Sequence, residues 1–206
     1  MREADFYRDE AKQRAAGAVK VVEAQTSAEV VVAVRRRSGD YRIAAYHFGL
    51  GALALVTLYM LVAPQVFSIG AMALDALIAF VLGALLCRHV ETLSRLLTRP
   101  STLEKNVETA ARAAFFDLGI SRTSGRNGIL VFVSTFERTC AVLTDTGIDI
   151  STLGPEFGKG RDGMQLAVKQ RDFDAFIVAL ESIGPALGAA MPHMDDDVNE
   201  LPDEVQ

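Results

Sequence analysis

Residues 43–62 read IAAYHFGLGALALVTLYMLV, and after Ala63, Pro64 and Gln65, residues 66–87 read VFSIGAMALDALIAFVLGALLC. The first run holds no Asp, Glu, Lys or Arg, and the second holds only Asp75. Each supplies about the 20 apolar residues that a helix needs to cross roughly 30 Å of hydrocarbon. The connection at Pro64 is too short for anything but a tight reversal, so the pair predicts a two-helix transmembrane hairpin. Working outward, Arg35, Arg36, Arg37 and Arg42 precede the hairpin and Arg88, Arg95, Arg99 and Lys105 follow it, while the turn carries no charge. Basic residues beside spans stay on the cytoplasmic side. The expectation is a multi-pass protein of the cell inner membrane with both termini cytoplasmic. Residues 1–25 are charged and helix-like, unlike the basic start and apolar run of a signal peptide, so the first span is expected to remain as an anchor.

The flanks read as soluble α/β sequence. A helix is predicted over residues 3–23, with Phe6, Ala11, Ala15, Ala18, Val19 and Val22 on its apolar side. Residues 29–34 (EVVVAV) are a dense β-branched run too short for a helix and typical of a strand buried on both faces, residues 128–133 (GILVFV) read as a second, all-apolar strand, and 139–143 (TCAVL) as a third. Between them, Ser101 and Glu104 suggest a capping box opening a helix that carries Val107, Ala110, Ala111, Ala114 and Phe115 and ends near Gly119. Residues 154–163 read as a Gly-rich connection, 164–169 as a short helix, and 173–183 as a helix with Asp172 at its N-cap. Helices alternating with buried strands predict an α/β sandwich. One strand precedes the hairpin and two follow it, so a single sheet makes the hairpin an insertion. Residues 1–42 and 91–192 are then two parts of one cytoplasmic domain, 43–90 the hairpin, and 193–206 an acidic tail, disordered and solubilising or else a specific docking peptide.

That tail explains the charge. Asp195, Asp196, Asp197, Glu200, Asp203 and Glu204 crowd the end of the chain, and without them the net charge of −5 becomes about +1. The folded part carries no basic field suited to nucleic acid. Cys87 and Cys140 show no metal or redox spacing and are expected as free thiols used in packing.

Chemistry-bearing residues are few. Asp75 falls about 13 Å into the second span at 1.5 Å per residue, with Thr57 within about a turn of it on the first. A carboxylate there is either a polar contact to another subunit or membrane partner, a proton site, or a protonated group bonded to Thr57 or its own helix. Gly49, Ala52, Ala79 and Gly83 are small enough to let helices approach closely. In residues 121–127, Arg122, Thr123, Arg126 and Asn127 form an anion-binding kit of two guanidiniums and several polar groups, or else a solvated loop. Glu137 and Asp145 are carboxylates suited to Ca²⁺ or Mg²⁺, or else members of a surface turn. Asp145, Thr146 and Gly147 spell the aspartic-protease triplet, but only once. His47, His89 and His193 are too scattered for a triad or a zinc site.

The pattern Val107, Ala110, Ala114-Phe115, Gly119-Ile120, Thr123, then RNGILVFVS over 126–134, Glu137-Arg138, and Asp145 with Gly147-Ile148 resembles the TPM-domain family. Residues 26–32 (TSAEVVV) look like that family's opening strand, and many bacterial members carry a two-helix hairpin between the halves. The resemblance spans about residues 5–190. It implies an α/β/α sandwich around a small mixed sheet. It further implies either an accessory role beside membrane complexes, a weak phosphatase activity, or calcium binding, since members are associated with each. With no catalytic constellation legible, the leading expectation is a non-enzymatic accessory or assembly factor for a membrane complex, binding another membrane protein or a second copy through the hairpin. A weak metal-dependent phosphatase and a divalent-cation sensor are the alternatives.

Overall fold

The computed structural model describes Phe6, residues 8–193, Glu200 and Leu201. The chain divides into two compact units, one made of the chain up to Ser38 and again from Glu104, the other of Gly39–Leu103. The first unit holds α1 (Asp9–Glu23), β1 (Glu29–Arg35), most of α5 (Pro100–Asp117), β2 (Gly128–Ser134), β3 (Thr139–Thr144), α6 (Gly154–Gln170), α7 (Phe173–Glu181) and α8 (Gly184–Ala190). The second holds α2 (Arg42–Val62), α3 (Ile69–His89) and α4 (Glu91–Leu96). Residues 91–103, expected with the soluble half, therefore cluster with the two long helices.

The fold is mixed α/β with a small three-stranded sheet in the order β1-β2-β3. β1 runs parallel to β2, from Glu29 opposite Gly128 to Arg35 opposite Ser134. β3 runs antiparallel to β2, from Thr144 opposite Ile129 to Thr139 opposite Ser134. A two-residue turn cannot join parallel strands, which require a crossover. Here that crossover is the whole stretch between Arg35 and Gly128, with α5 lying on the sheet and the helical unit spliced in ahead of it.

Every residue of β2 is buried, because both faces of the sheet are covered. Alternation along the strands divides the core in two. Val30, Val32, Ile129, Val131 and Val133 pack with Val19 and Val22 of α1, Met164 of α6 and Phe176 and Leu180 of α7. Val31, Ala33, Leu130 and Phe132 face the other way, onto Val107, Ala111 and Phe115 of α5 and onto Ile120. Each large apolar side chain buried this way contributes about 1.5–3 kcal/mol.

Two expectations about helices need correction. α5 opens on Pro100, and the carbonyl of Arg99 accepts the first bonds from the amides of Thr102 and Leu103. Proline suits the first helical position, having no amide to leave unsatisfied, so Ser101 is inside the helix rather than its cap. The glycine-rich stretch is not a connection: α6 runs unbroken over 17 residues. A Cβ on Gly160 would meet Ile183 Cγ2 at 2.5 Å, and one on Gly163 would meet Ala179 Cβ at 3.2 Å. These glycines let α6 lie close against α7 and the turn that follows it. The Asp172 cap is present, its side chain accepting from the Ala175 amide at 3.0 Å.

Among the described residues, three helical stretches are long and apolar enough to cross a membrane: Arg42–Val62, Ile69–His89 and Phe173–Ala190. The third spans α7 and α8 and sinks Phe173, Phe176, Leu180, Ile183 and Leu187 into the core of the first unit. The other two pack on each other as an antiparallel pair and leave Leu55, Leu58, Leu61, Leu77, Val81 and Leu82, among others, exposed. They come close together at small residues. A Cβ on Gly49 would lie 2.7 Å from the Phe80 carbonyl oxygen, and one on Gly83 would lie 2.9 Å from Ala52 Cβ. Beyond α3, the Ser94 hydroxyl donates to the Cys87 carbonyl at 2.6 Å, tying α4 to the end of α3.

Candidate functional site

The residues singled out in the sequence fall at three separate places. At the end of the sheet where β1 and β2 begin and β3 finishes, the 123–127 loop meets Glu29, Asp145 and the described part of the C-terminal segment. Thr123 is buried and organises the loop: its hydroxyl accepts from the Asn127 amide at 3.2 Å, and its carbonyl accepts from the Arg126 amide at 3.1 Å. Arg126 takes a left-handed backbone, φ 52°. Its side chain is spent within the loop and the neighbouring turn. One guanidinium nitrogen donates to the Ser121 carbonyl at 2.5 Å, another pairs with Asp145 Oδ1 at 3.1 Å, and Nε reaches Thr146 Oγ1 at 3.4 Å.

Asp145 is buried, its side chain 4 % exposed against 50 % for Arg126. It also accepts from the Thr146 amide at 2.7 Å. The Asp-Thr-Gly triplet is thus a turn device. The Gly147 amide donates to the Arg126 carbonyl at 2.9 Å, and a Cβ at Gly147 would meet the Gly125 carbonyl oxygen at 2.4 Å. Asn127 donates its side-chain amide to the Ser27 carbonyl, while its own carbonyl accepts from the Glu29 amide at 3.2 Å.

The anion kit is accordingly smaller than expected. Arg122 is exposed, Arg126 is committed to Asp145, and the loop's outward donors are the amide and hydroxyl of Ser124. Both point at one carboxylate, that of Glu200, at 3.0 and 2.5 Å. Ser124, Glu29 and Glu200 were not among the candidate residues. Glu29 carried a signal, being a carboxylate at the head of an otherwise apolar buried strand. Of the expected disordered tail, Asp195, Asp196, Asp197, Asp203 and Glu204 lie outside the described residues, whereas Glu200 and Leu201 are placed on the domain.

Glu137 sits at the opposite end of β3, about 20 Å from Asp145 for a six-residue strand, so the two carboxylates do not share a site. Glu137 closes the turn between β2 and β3. It accepts from the Ser38 amide at 2.9 Å and from the Ser134 hydroxyl, and Arg37 stacks on the neighbouring Phe136 ring at 4.1 Å. Among the described residues, no three His, Cys, Asp or Glu side chains are grouped to hold a metal ion. At the Asp145 end, Asn127 Oδ1 and Asp145 Oδ2 are each buried without a hydrogen-bond partner. They are hard oxygen donors of the kind Ca²⁺ and Mg²⁺ take.

No protein-family model matches the chain. No curated protein matches it either. The fold has a solved counterpart. The NMR structure of BA42 protein from the psychrophilic bacterium Bizionia argentinensis aligns with 96% of this chain and 92% of its own, with a TM-score of 0.56 and 18% identity. At that identity the likeness concerns the fold alone.

The third place is the helical pair. Thr57 donates its hydroxyl to the Leu53 carbonyl of its own helix at 2.9 Å, so it does not serve Asp75. Asp75 lies exposed on α3. Both cysteines are free and buried. Burial pushes the Cys140 thiol up to about 12, which keeps it protonated and inert toward disulfide exchange.

Proposed function

We propose that this chain is a membrane-anchored, TPM-like accessory or assembly factor rather than an enzyme. In this reading α2 and α3 span the inner membrane, both termini are cytoplasmic, and the α/β unit is held at the bilayer by a hairpin inserted in its own crossover. The observation that carries the reading is the exposed carboxylate of Asp75 on an otherwise apolar helical pair. An ionised carboxylate at mid-span costs about 2.5–3.5 kcal/mol on insertion scales. Within the pair nothing offsets that cost, because Thr57 bonds its own helix. A polar group on a neighbouring membrane protein, or on a second copy, would offset it, and polar side chains inside membranes usually face such contacts.

The test is a crosslinking pull-down from native membranes at low detergent, comparing wild type with Asp75→Leu. The expected result is a membrane partner, or a homodimer band, that disappears in the variant while its amount in the membrane stays the same. Retention of every partner by Asp75→Leu would sink the reading.

The phosphatase alternative has little support, since Arg126 is paired with Asp145 at 3.1 Å and, among the described residues, no three His, Cys, Asp or Glu side chains are grouped to hold a metal ion. The cation-binding alternative keeps one specific observation, the partnerless Asn127 Oδ1 and Asp145 Oδ2. On that reading millimolar Ca²⁺ or Mg²⁺ raises the Tm of the full-length protein in micelles, and Asp145→Asn abolishes the rise. No cation-dependent rise in the wild type would remove it.

A further inference from the structure

Glu200 and Leu201 make three contacts of different chemistry with one end of the sheet. The Glu200 amide donates to Glu29 Oε1 at 3.3 Å. Its carboxylate accepts from the Ser124 amide and the Ser124 hydroxyl. The Leu201 side chain packs against the cluster formed by Leu130, Phe132 and the α5 face. Main chain, charge and aliphatic side chain are thus each read by a separate element of the domain.

Charge attraction does not account for this placement. The neighbouring ionisable groups include two buried carboxylates, Glu29 and Asp145, and Arg126 of the same loop is already paired with Asp145 at 3.1 Å. A solvated acidic tail would avoid such surroundings. What holds Glu200 is a pair of directed donors on one exposed serine, a charge-assisted arrangement with defined geometry.

We propose that Ser124 and Glu29, with the apolar cluster beside them, form a recognition site for a short acidic–aliphatic peptide, which the chain's own Glu200 and Leu201 fill in cis. Six positions of sequence separate His193 from Glu200, so the cis segment acts at an effective concentration on the order of millimolar. A segment of the same chemistry on another chain must displace it to bind. This inference is independent of the Asp75 reading, because it involves only the α/β unit.

The test uses full-length protein in micelles and a fluorescent peptide of residues 196–204, DDVNELPDE, followed by anisotropy. Wild type is compared with the opened double variant Glu200→Ala, Leu201→Ser. The expected result is apparent affinity at least about tenfold higher in the opened variant, since removing a millimolar cis competitor exposes the site. Adding Ser124→Ala to the opened variant, or replacing the peptide's first glutamate, at position 200, by glutamine, should return binding to the wild-type level. Hydrogen exchange supplies a second readout on folded protein: the Ser124 amide should exchange faster in the opened variant, with strand amides of β2 unchanged. Equal peptide binding by wild type and opened variant, or indifference to Ser124→Ala, would overturn the proposal.

Discussion

Arg126→Ala is expected to destabilise the α/β unit by about 2–3 kcal/mol, although half of the Arg126 side chain faces solvent. The cost arises at its partner. Asp145 is 4 % exposed, and without the guanidinium it keeps only the amide and the distant hydroxyl of Thr146 on Oδ1, while Oδ2 already has no hydrogen-bond partner. Removing one member of a fully buried pair costs roughly 3–5 kcal/mol. The half-exposed arginine leaves water a path toward the carboxylate, which lowers the figure. The arginine also donates to the Ser121 carbonyl, so the loop loses a brace as well as a counter-charge. For a unit of this size the change corresponds to a fall in Tm of roughly 4–10 °C. Denaturant or thermal unfolding in micelles checks it, and Asp145→Asn is the diagnostic second change. In Arg126→Ala, Asp145→Asn the buried charge is gone, so the double variant should be more stable than Arg126→Ala alone. If the double variant is instead the sum of two independent losses, the pair is a surface contact.

The legible and illegible parts of this chain divide by whether the deciding partner is local. The three strands were readable because runs such as GILVFV are too short and too uniformly apolar for anything but a strand covered on both faces. β2 is buried at every residue. Their order around the hairpin made it an insertion within one sheet, but the parallel pairing of β1 with β2 was not legible in that order. α6 was not readable, because Gly154, Gly158, Gly160 and Gly163 argue locally for a loop. Their reason lies in Ile183 and Ala179, which come close only once α7 has folded back. The site divides in the same way. Thr123 and Asn127 do organise their own loop. Arg126, however, looked like a free cation because Asp145 lies 19 positions away, across β2 and β3. Glu137 and Asp145 looked like neighbours because only a short strand separates them, yet an extended strand carries its two ends far apart. Ser124 gave no signal of its own, since an exposed serine in a polar loop has no distinguishing pattern until its acceptor is in place.

Gly147 and Gly158 look equivalent in the sequence and have opposite surroundings in the fold. Gly147→Ala is expected to cost about 2–4 kcal/mol, beyond ordinary overpacking, because the added methyl has no flexible neighbour to displace. It would lie 2.4 Å from the Gly125 carbonyl oxygen and 2.6 Å from that of Arg126, and both are backbone atoms. Either the turn after β3 or the 123–127 loop must move, and the Gly147 amide bond to the Arg126 carbonyl is lost with it. Because that loop also presents Ser124, the variant should lose peptide binding in the opened background along with stability. Gly158→Ala makes the contrast. Gly158 sits within α6, and a Cβ there meets nothing within 4 Å. Replacing glycine by alanine in a helix interior stabilises by roughly 0.5–1 kcal/mol, since the unfolded chain loses freedom and the helix gains propensity. Parallel unfolding curves in the same micelles decide the matter. Opposite signs at the two positions are expected, and a destabilised Gly158→Ala would mean that α6 does not run unbroken through the glycines.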